Sequence, residues 1–142
     1  MLDLRSTDMD TKGTAALAAV LPALAASLMH LDLSNCERSL ELAFNTLIPA
    51  LAQATSLTEL RLDRIRLEPS GAKGLLSVLS ALPHLRNICL SACSLGAPGC
   101  MAIAHALQDR DGVLVRLDCN DVTSGTAEGN ELYNMPGINV YR

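Results

Sequence analysis

Tryptophan is absent from this sequence, and only Phe44, Tyr133 and Tyr141 carry aromatic rings among 142 residues. Any core must therefore be aliphatic, and 27 leucines and 19 alanines are there to build it. The length supports one domain with a true core and excludes a multidomain enzyme. Basic charge is also short: 11 Lys and Arg against 15 Asp and Glu leave a formal net charge of -4. Such a balance does little to neutralise phosphates, so no nucleic-acid partner is expected. Long apolar runs are missing too. The longest, Thr14 to Met29, is alanine-rich, is broken by Pro22 and falls short of the roughly 20 residues a bilayer requires. It reads as a packed helix, and no membrane partner is expected. Asp3, Asp8 and Asp10 precede it, where a secretory leader would be cationic. The five cysteines are an odd number without a compact disulfide framework, and no N-x-S/T acceptor occurs. Free thiols in the cytoplasm or another reducing intracellular compartment are the expectation.

What is present is a repeat. The pattern L-x-x-L-x-L aligns Leu28, Leu31, Leu33 with Leu57, Leu60, Leu62, with Leu85, Ile88, Leu90 and with Leu114, Leu117, Cys119, in steps of 29, 28 and 29. Leu2 and Leu4 sit 29 residues before Leu31 and Leu33. Met135, Ile138 and Val140 fit the template after a spacing shortened to 21. Three residues after the last strand position stands Thr7, Cys36, Ile65, Cys93 or Val122, small or apolar groups suited to a buried turn. An apolar residue follows, with glycine four positions later: Met9 to Gly13, Leu67 to Gly71, Leu95 to Gly99. Apolar spacings of three and four then predict helices through Leu17, Leu21, Leu24; Leu47, Leu51, Ala54; Leu75, Leu79, Leu82; and Ile103, Leu107. Pro69 and Pro98 fall where a first-turn proline is tolerated. Strand-helix-strand crossovers make successive strands parallel, and stacking the copies buries leucines that no single copy could cover.

The runs "LMHLDLSNC", "LTELRLDRIRLEPSGAKGLLSVL" and "LRNICLSACSLGAPGCMAIAHAL" closely resemble the ribonuclease-inhibitor class of leucine-rich repeats. That class includes ribonuclease inhibitors, Ran GTPase-activating proteins and the sensor halves of innate immune receptors. The resemblance implies an α/β solenoid, a right-handed α/β horseshoe with five to six short parallel strands inside and about four helices outside. Repeats are expected over residues 1–122, followed over 123–142 by an irregular loop and a terminal capping strand ending at Tyr141. The second copy replaces the glycine-led helix start with "ERSLELAFNTLIPAL", so an irregular loop is expected there.

In such a solenoid the outward strand residues line a concave face, with neighbours about 4.8 Å apart. Three columns are expected: His30, Glu59, Asn87, Arg116; Asp3, Asp32, Arg61, Cys89, Asp118; and Arg5, Ser34, Asp63, Ser91, Asn120. The face is polar and mixed in sign, suited to docking a protein partner around Asp32, Glu59, Arg61 and Asp63. The competing reading is a solvated sheet face whose opposite charges only satisfy one another. Leu2 and Leu4, without a cap before them, are a second candidate surface, for joining a larger assembly or another copy.

Chemistry is harder to build. Cys89, Cys93, Cys100 and His105 are metal-ligand types falling within 17 residues, but the pattern sends them to the strand face, the turn and the helix, against a tetrahedral centre. Cys89 lies near Asn87 and Ser91 with no histidine placed to activate it. His30, His84 and His105 belong to different elements, and no G-x-S-x-G, H-E-x-x-H, Walker or dinucleotide motif occurs. Arg61, Arg64 and Arg66 form a basic run, but alternation splits their directions among Asp63 and Glu68. No catalytic residue, metal or cofactor is assigned. The expected function is a non-enzymatic protein-binding or assembly scaffold, a fragment or subunit of something larger. The alternatives are a Ran-type GTPase activator and a sensor or ubiquitin-ligase adaptor repeat domain.

Overall fold

The computed structural model describes residues 1–36, 39–123 and 125–140. The fold is an α/β solenoid. Its strands are β1 (Leu2–Asp3), β2 (His30–Asp32), β3 (Glu59–Arg61), β4 (Asn87–Cys89), β5 (Leu114–Arg116) and β6 (Ile138–Asn139). Between them run α1 (Thr11–Val20, extended by a 3-10 turn Leu21–Leu24), α2 (Ser39–Leu51), α3 (Glu68–Ala81), α4 (Gly96–Leu107) and α5 (Ala127–Asn134). The strands form one parallel sheet in chain order. The irregular loop expected after the second strand falls on residues 37 and 38, which lie outside the described residues.

Each strand is three residues or fewer because only its central residue must point inward. Leu31, Leu60, Ile88 and Val115 do so, each no more than 1% exposed. The flanking leucines of the repeat and the inner faces of the helices close over them in one continuous core from Met9 to Val140, with Phe44 its single aromatic among the described residues. Two helix starts show why glycine recurs. A Cβ at Gly71 would stand 3.1 Å from Cβ of Leu67, and one at Gly99 would stand 3.1 Å from Cβ of Leu95. The first helical turn thus closes directly onto the apolar residue that ends the preceding turn.

The turn after each strand repeats too. Ser6, Asn35, Arg64, Ala92 and Cys119 all take left-handed backbone, with φ between 55° and 61°. That conformation costs a non-glycine residue roughly 1–2 kcal/mol. The sheet ladder offsets it: the amide of Ser6 donates to Ser34, Asn35 to Asp63, Arg64 to Ser91 and Ala92 to Asp118, all at 2.8–2.9 Å. One residue further in, a side chain reaches back to the neighbouring copy. Sγ of Cys36 donates to the carbonyl of Leu4 at 3.2 Å, Sγ of Cys93 to Leu62 at 3.1 Å, and Nδ2 of Asn120 to Leu90 at 2.6 Å.

Asn120 corrects the expected frame of the fifth copy. The central strand residues step by 29, 28 and then 27, so Val115 and Leu117 rather than Leu117 and Cys119 face inward. α4 is 12 residues long where α3 has 14, and the loop after it is one residue longer, so the chain returns to the sheet one residue sooner than in the copy before and two sooner than a period of 29 requires, with Gly112 at φ +72° in the connection. Leu114 therefore points outward and is 54% exposed, Asn120 takes the buried turn position expected of Val122, and Cys119 is exposed.

The stretch expected as loop after residue 122 is partly helical. Oγ1 of Thr126 accepts from the amide of Gly129 at 3.1 Å, capping α5, and Leu132 anchors its inner side. Described helices thus number five rather than about four. Beyond α5, Ile138 pairs with Val115, and Val140 is buried. Tyr141 lies outside the described residues.

Candidate functional site: the open sheet face

Helices cover one side of the sheet and leave the outward side chains of the strands on the other. The register sets them in rows. His30, Glu59, Asn87 and Leu114 are successive partners, as are Asp3, Asp32, Arg61, Cys89, Arg116 and Asn139. A third row, read from the backbone ladder beyond the strands, holds Ser34, Asp63, Ser91 and Asp118. Two-residue displacement of the fifth copy moves Arg116 out of the expected first column into the second, and Asp118 out of the second into the third. Asn120 leaves the face altogether. Leu114 and Asn139 join it, unforeseen; the alternation Leu114, Arg116, Asp118 is the signal that would have placed Leu114 there.

Glu59 organises the centre. Its Oε1 accepts from Nε of Arg61, two residues along the same strand, and its Oε2 accepts from Nδ1 of His30 at 3.0 Å. These two bonds, that of Arg61 first, hold the Glu59 carboxyl below the usual glutamate value, while Glu59 in turn raises Arg61 further above its own. Other charges are set by backbone. Asp32 Oδ1 accepts from the amide of Ser34 at 2.9 Å, and Asp63 Oδ1 from that of Ser91 at 2.7 Å. Asp63 is therefore partly committed to holding the turn of the next copy. The backbone amide of Arg5 donates to Asp3 at 3.2 Å and its guanidinium pairs with the same carboxylate at 2.8 Å; the amide first, these hold the Asp3 carboxyl low. Nε of Arg116 stands 3.6 Å from Asp118.

Two hollows open on this face. One, of about 190 Å³, is walled by Asp3, Arg5, His30, Asp32, Glu59 and Arg61. The other, of about 200 Å³, is walled by Glu59, Arg61, Asn87, Leu114, Arg116 and Asn139, with Cys89 among its lining. Glu59 and Arg61 border both. Leu2 and Leu4, the second candidate surface, are half-buried against the core, and Leu2 pairs with Leu31.

The reactive residue types are scattered. Cys93 is buried in its turn and Cys100 within α4, and burial pushes each thiol up to about 12. Cys89, on the sheet face, is raised by burial and by the charge of Asp63. His105 pairs instead with Glu131 across α4 and α5, at 3.0 Å. Among the described residues no group of three or more His, Cys, Asp or Glu is arranged to hold a metal ion. No described helix is long and apolar enough to cross a membrane. What the face offers is a set of hydrogen-bond donors, acceptors and one exposed leucine on a rigid sheet.

No protein-family model and no curated protein matches the chain. Among solved structures, the C-terminal domain of tropomodulin from Caenorhabditis elegans is similar, with a TM-score of 0.57 at 14% identity, over 83% of this chain and 87% of that one. A likeness at that identity speaks to the fold: a leucine-rich-repeat-like parallel sheet.

Proposed function

We propose that this chain is a non-enzymatic protein-binding repeat module, of the ribonuclease-inhibitor-like class, that docks a protein partner on its open sheet face. The observation that carries the reading is the pair of hollows sharing the Glu59–Arg61 pair. They adjoin on one rigid surface, and their borders mix charge, carboxamide and an exposed leucine, as interface patches do. Arginine is the one residue type favoured at interface hot spots that this face supplies, at Arg61 and Arg116. Two hollows of this size accept side chains of a partner rather than enclose a cofactor.

A second surface belongs to the same reading. Among the described strands β1 pairs with β2 alone, and Leu2 within it and Leu4 just after it are half-buried, a place where another strand could extend the sheet. The free, mostly buried thiols fit a reducing compartment.

The test is affinity purification from the native source with the wild type, Arg61→Glu and Leu2→Asp. A stoichiometric partner lost with Arg61→Glu and kept with Leu2→Asp supports sheet-face docking, and the reverse moves the interface to the edge. Faster single-turnover GTP hydrolysis by a Ran-like G protein on adding the chain would replace the scaffold reading with GTPase activation.

A further inference from the structure

The two hollows differ in what they leave unsatisfied. In the one beside β1, carboxylates of Asp3, Asp32 and Glu59 stand with Arg5, Arg61 and His30. In the one over β4 and β5, the only carboxylate is that of Glu59, and both its oxygens are already taken by Arg61 and His30. The remaining polar groups there are donor-rich. Among the described residues Arg61 gives its Nε to Glu59, and Arg116 approaches Asp118 at 3.6 Å. Both side chains are about half exposed, 44% and 58%. The carboxamides of Asn87 and Asn139 border the same space.

Arg61 and Arg116 lie in one row, on strands either side of β4, and so stand about 9–10 Å apart at the backbone. The residue between them is Cys89, 9% exposed, which forms part of the floor of the hollow. Both arginines line the same hollow, and long side chains two strands apart can converge on one carboxylate, which accepts from both sides. At about 200 Å³ and open to solvent, the hollow holds an acidic side chain but does not enclose a free metabolite. Leu114 stands at its margin, 54% exposed, where an apolar neighbour of that acidic residue would lie.

Resting on sheet-face docking, we infer that the hollow between Arg61 and Arg116 receives an aspartate or glutamate from an extended segment of the protein partner, with an adjacent apolar residue packed on Leu114.

The probes are two capped peptides, Gly-Ser-Gly flanks around Asp-Leu-Asp or around Lys-Leu-Lys, titrated into the isotope-labelled full chain with amide correlation spectra as readout. Sodium acetate is the third probe. The expected result is saturable shifts at Asn87, Cys89, Leu114, Arg116 and Asn139 with the acidic peptide. Arg116→Glu should weaken them by up to about fivefold, since an exposed charge pair contributes up to about 1 kcal/mol, and Leu114→Ala should weaken them less. If the lysine peptide shifts the same residues as strongly, the charge assignment is overturned while sheet-face docking stands. If acetate alone reproduces the shifts at the same concentration, the site takes a small carboxylate and the protein segment is overturned. Absence of shifts from every probe overturns the inference, and the partner's sensitivity to Arg61→Glu then judges sheet-face docking separately.

Discussion

The turn seam and the open sheet face are built the same way, one residue per copy in register, yet they use their side chains differently. Along the seam, Cys36, Cys93 and Asn120 each bond to the backbone of the preceding copy. Across the face, Glu59, Arg61 and His30 bond only to one another's side chains. A seam residue fills a fixed backbone vacancy, so its chemistry is restricted to small donors or, at Ile65, a plain apolar filler. Face residues such as Glu59, Arg61 and His30 are free to vary from copy to copy, whereas Asp32 and Asp63 on the same face are held by the amides of Ser34 and Ser91. Stability is thus concentrated where the repeat is monotonous, and recognition where it is irregular.

The largest break in that comparison should come at Asn120, the most heavily bonded seam residue. Its Oδ1 accepts from the amides of Cys93 at 2.8 Å and Leu95 at 3.4 Å, while Nδ2 donates to Leu90 and to Leu117, the latter at 3.0 Å. Asn120→Ala strands these groups in a site 1% exposed. Leaving buried donors and acceptors unpaired costs about 1–3 kcal/mol for each group fully deprived, so a loss of about 3 kcal/mol is expected in urea denaturation. A loss below about 0.5 kcal/mol, the range of ordinary surface substitutions, would show that the seam does not carry the stability assigned to it.

A smaller effect tests the face. The Glu59 carboxyl is held below its ordinary value of 4.5 by Arg61 and His30. A lowered folded-state value means the ionised form is favoured by folding, so its contribution is complete above about pH 4.5 and is lost as the pH falls through the lowered value. Wild type should exceed Glu59→Gln at neutral pH by no more than about 1 kcal/mol, given the solvent exposure of the pair. The difference should shrink as the pH is lowered below 4.5, followed by denaturant titrations across that range. A pH-independent difference would place the cost of the substitution in packing and not in charge.

How much of this was legible in the sequence depends on how much each position is constrained. The inward strand positions Leu31, Leu60 and Ile88 and the turn residues Thr7, Cys36, Ile65 and Cys93 follow from alternation and period, because burial admits few residue types there. The expected parallel sheet follows from them. The fifth copy was misread because "GVLVRLDCN" puts apolar residues at 113, 114, 115 and 117, so alternation alone admits two frames. A fixed period of 29 then selected the wrong one, whereas the signature Val115-x-Leu117-x-x-Asn120 marks the right one. α5 was missed because its helical pattern has only Leu132 as a buried leucine, though Thr126 and Glu128 mark its start. On the face, the residues near Glu59 could be listed from sequence. Which of them share a hollow could not, since that depends on the length of α4, two residues shorter than α3 and ending nine residues before Arg116.

The smallest expected effect sharpens the comparison most, because it turns on the orientation of one leucine. Leu114 heads its strand at a position where the 29-residue period demands a core residue, yet it is 54% exposed beside Asn87, while Val115 is 1% exposed. Truncating a leucine held in a core costs about 2–5 kcal/mol. Truncating one on an open face costs about 0.5 kcal/mol or less. Leu114→Ala is therefore expected to unfold at nearly the wild-type urea concentration with an unchanged slope. Loss of several kcal/mol would return Leu114 to the interior, move Arg116 back beside Asn87, and dissolve the second hollow. An unchanged midpoint leaves a leucine that the fold does not use for stability, standing at the edge of a donor-rich gap, available to a partner.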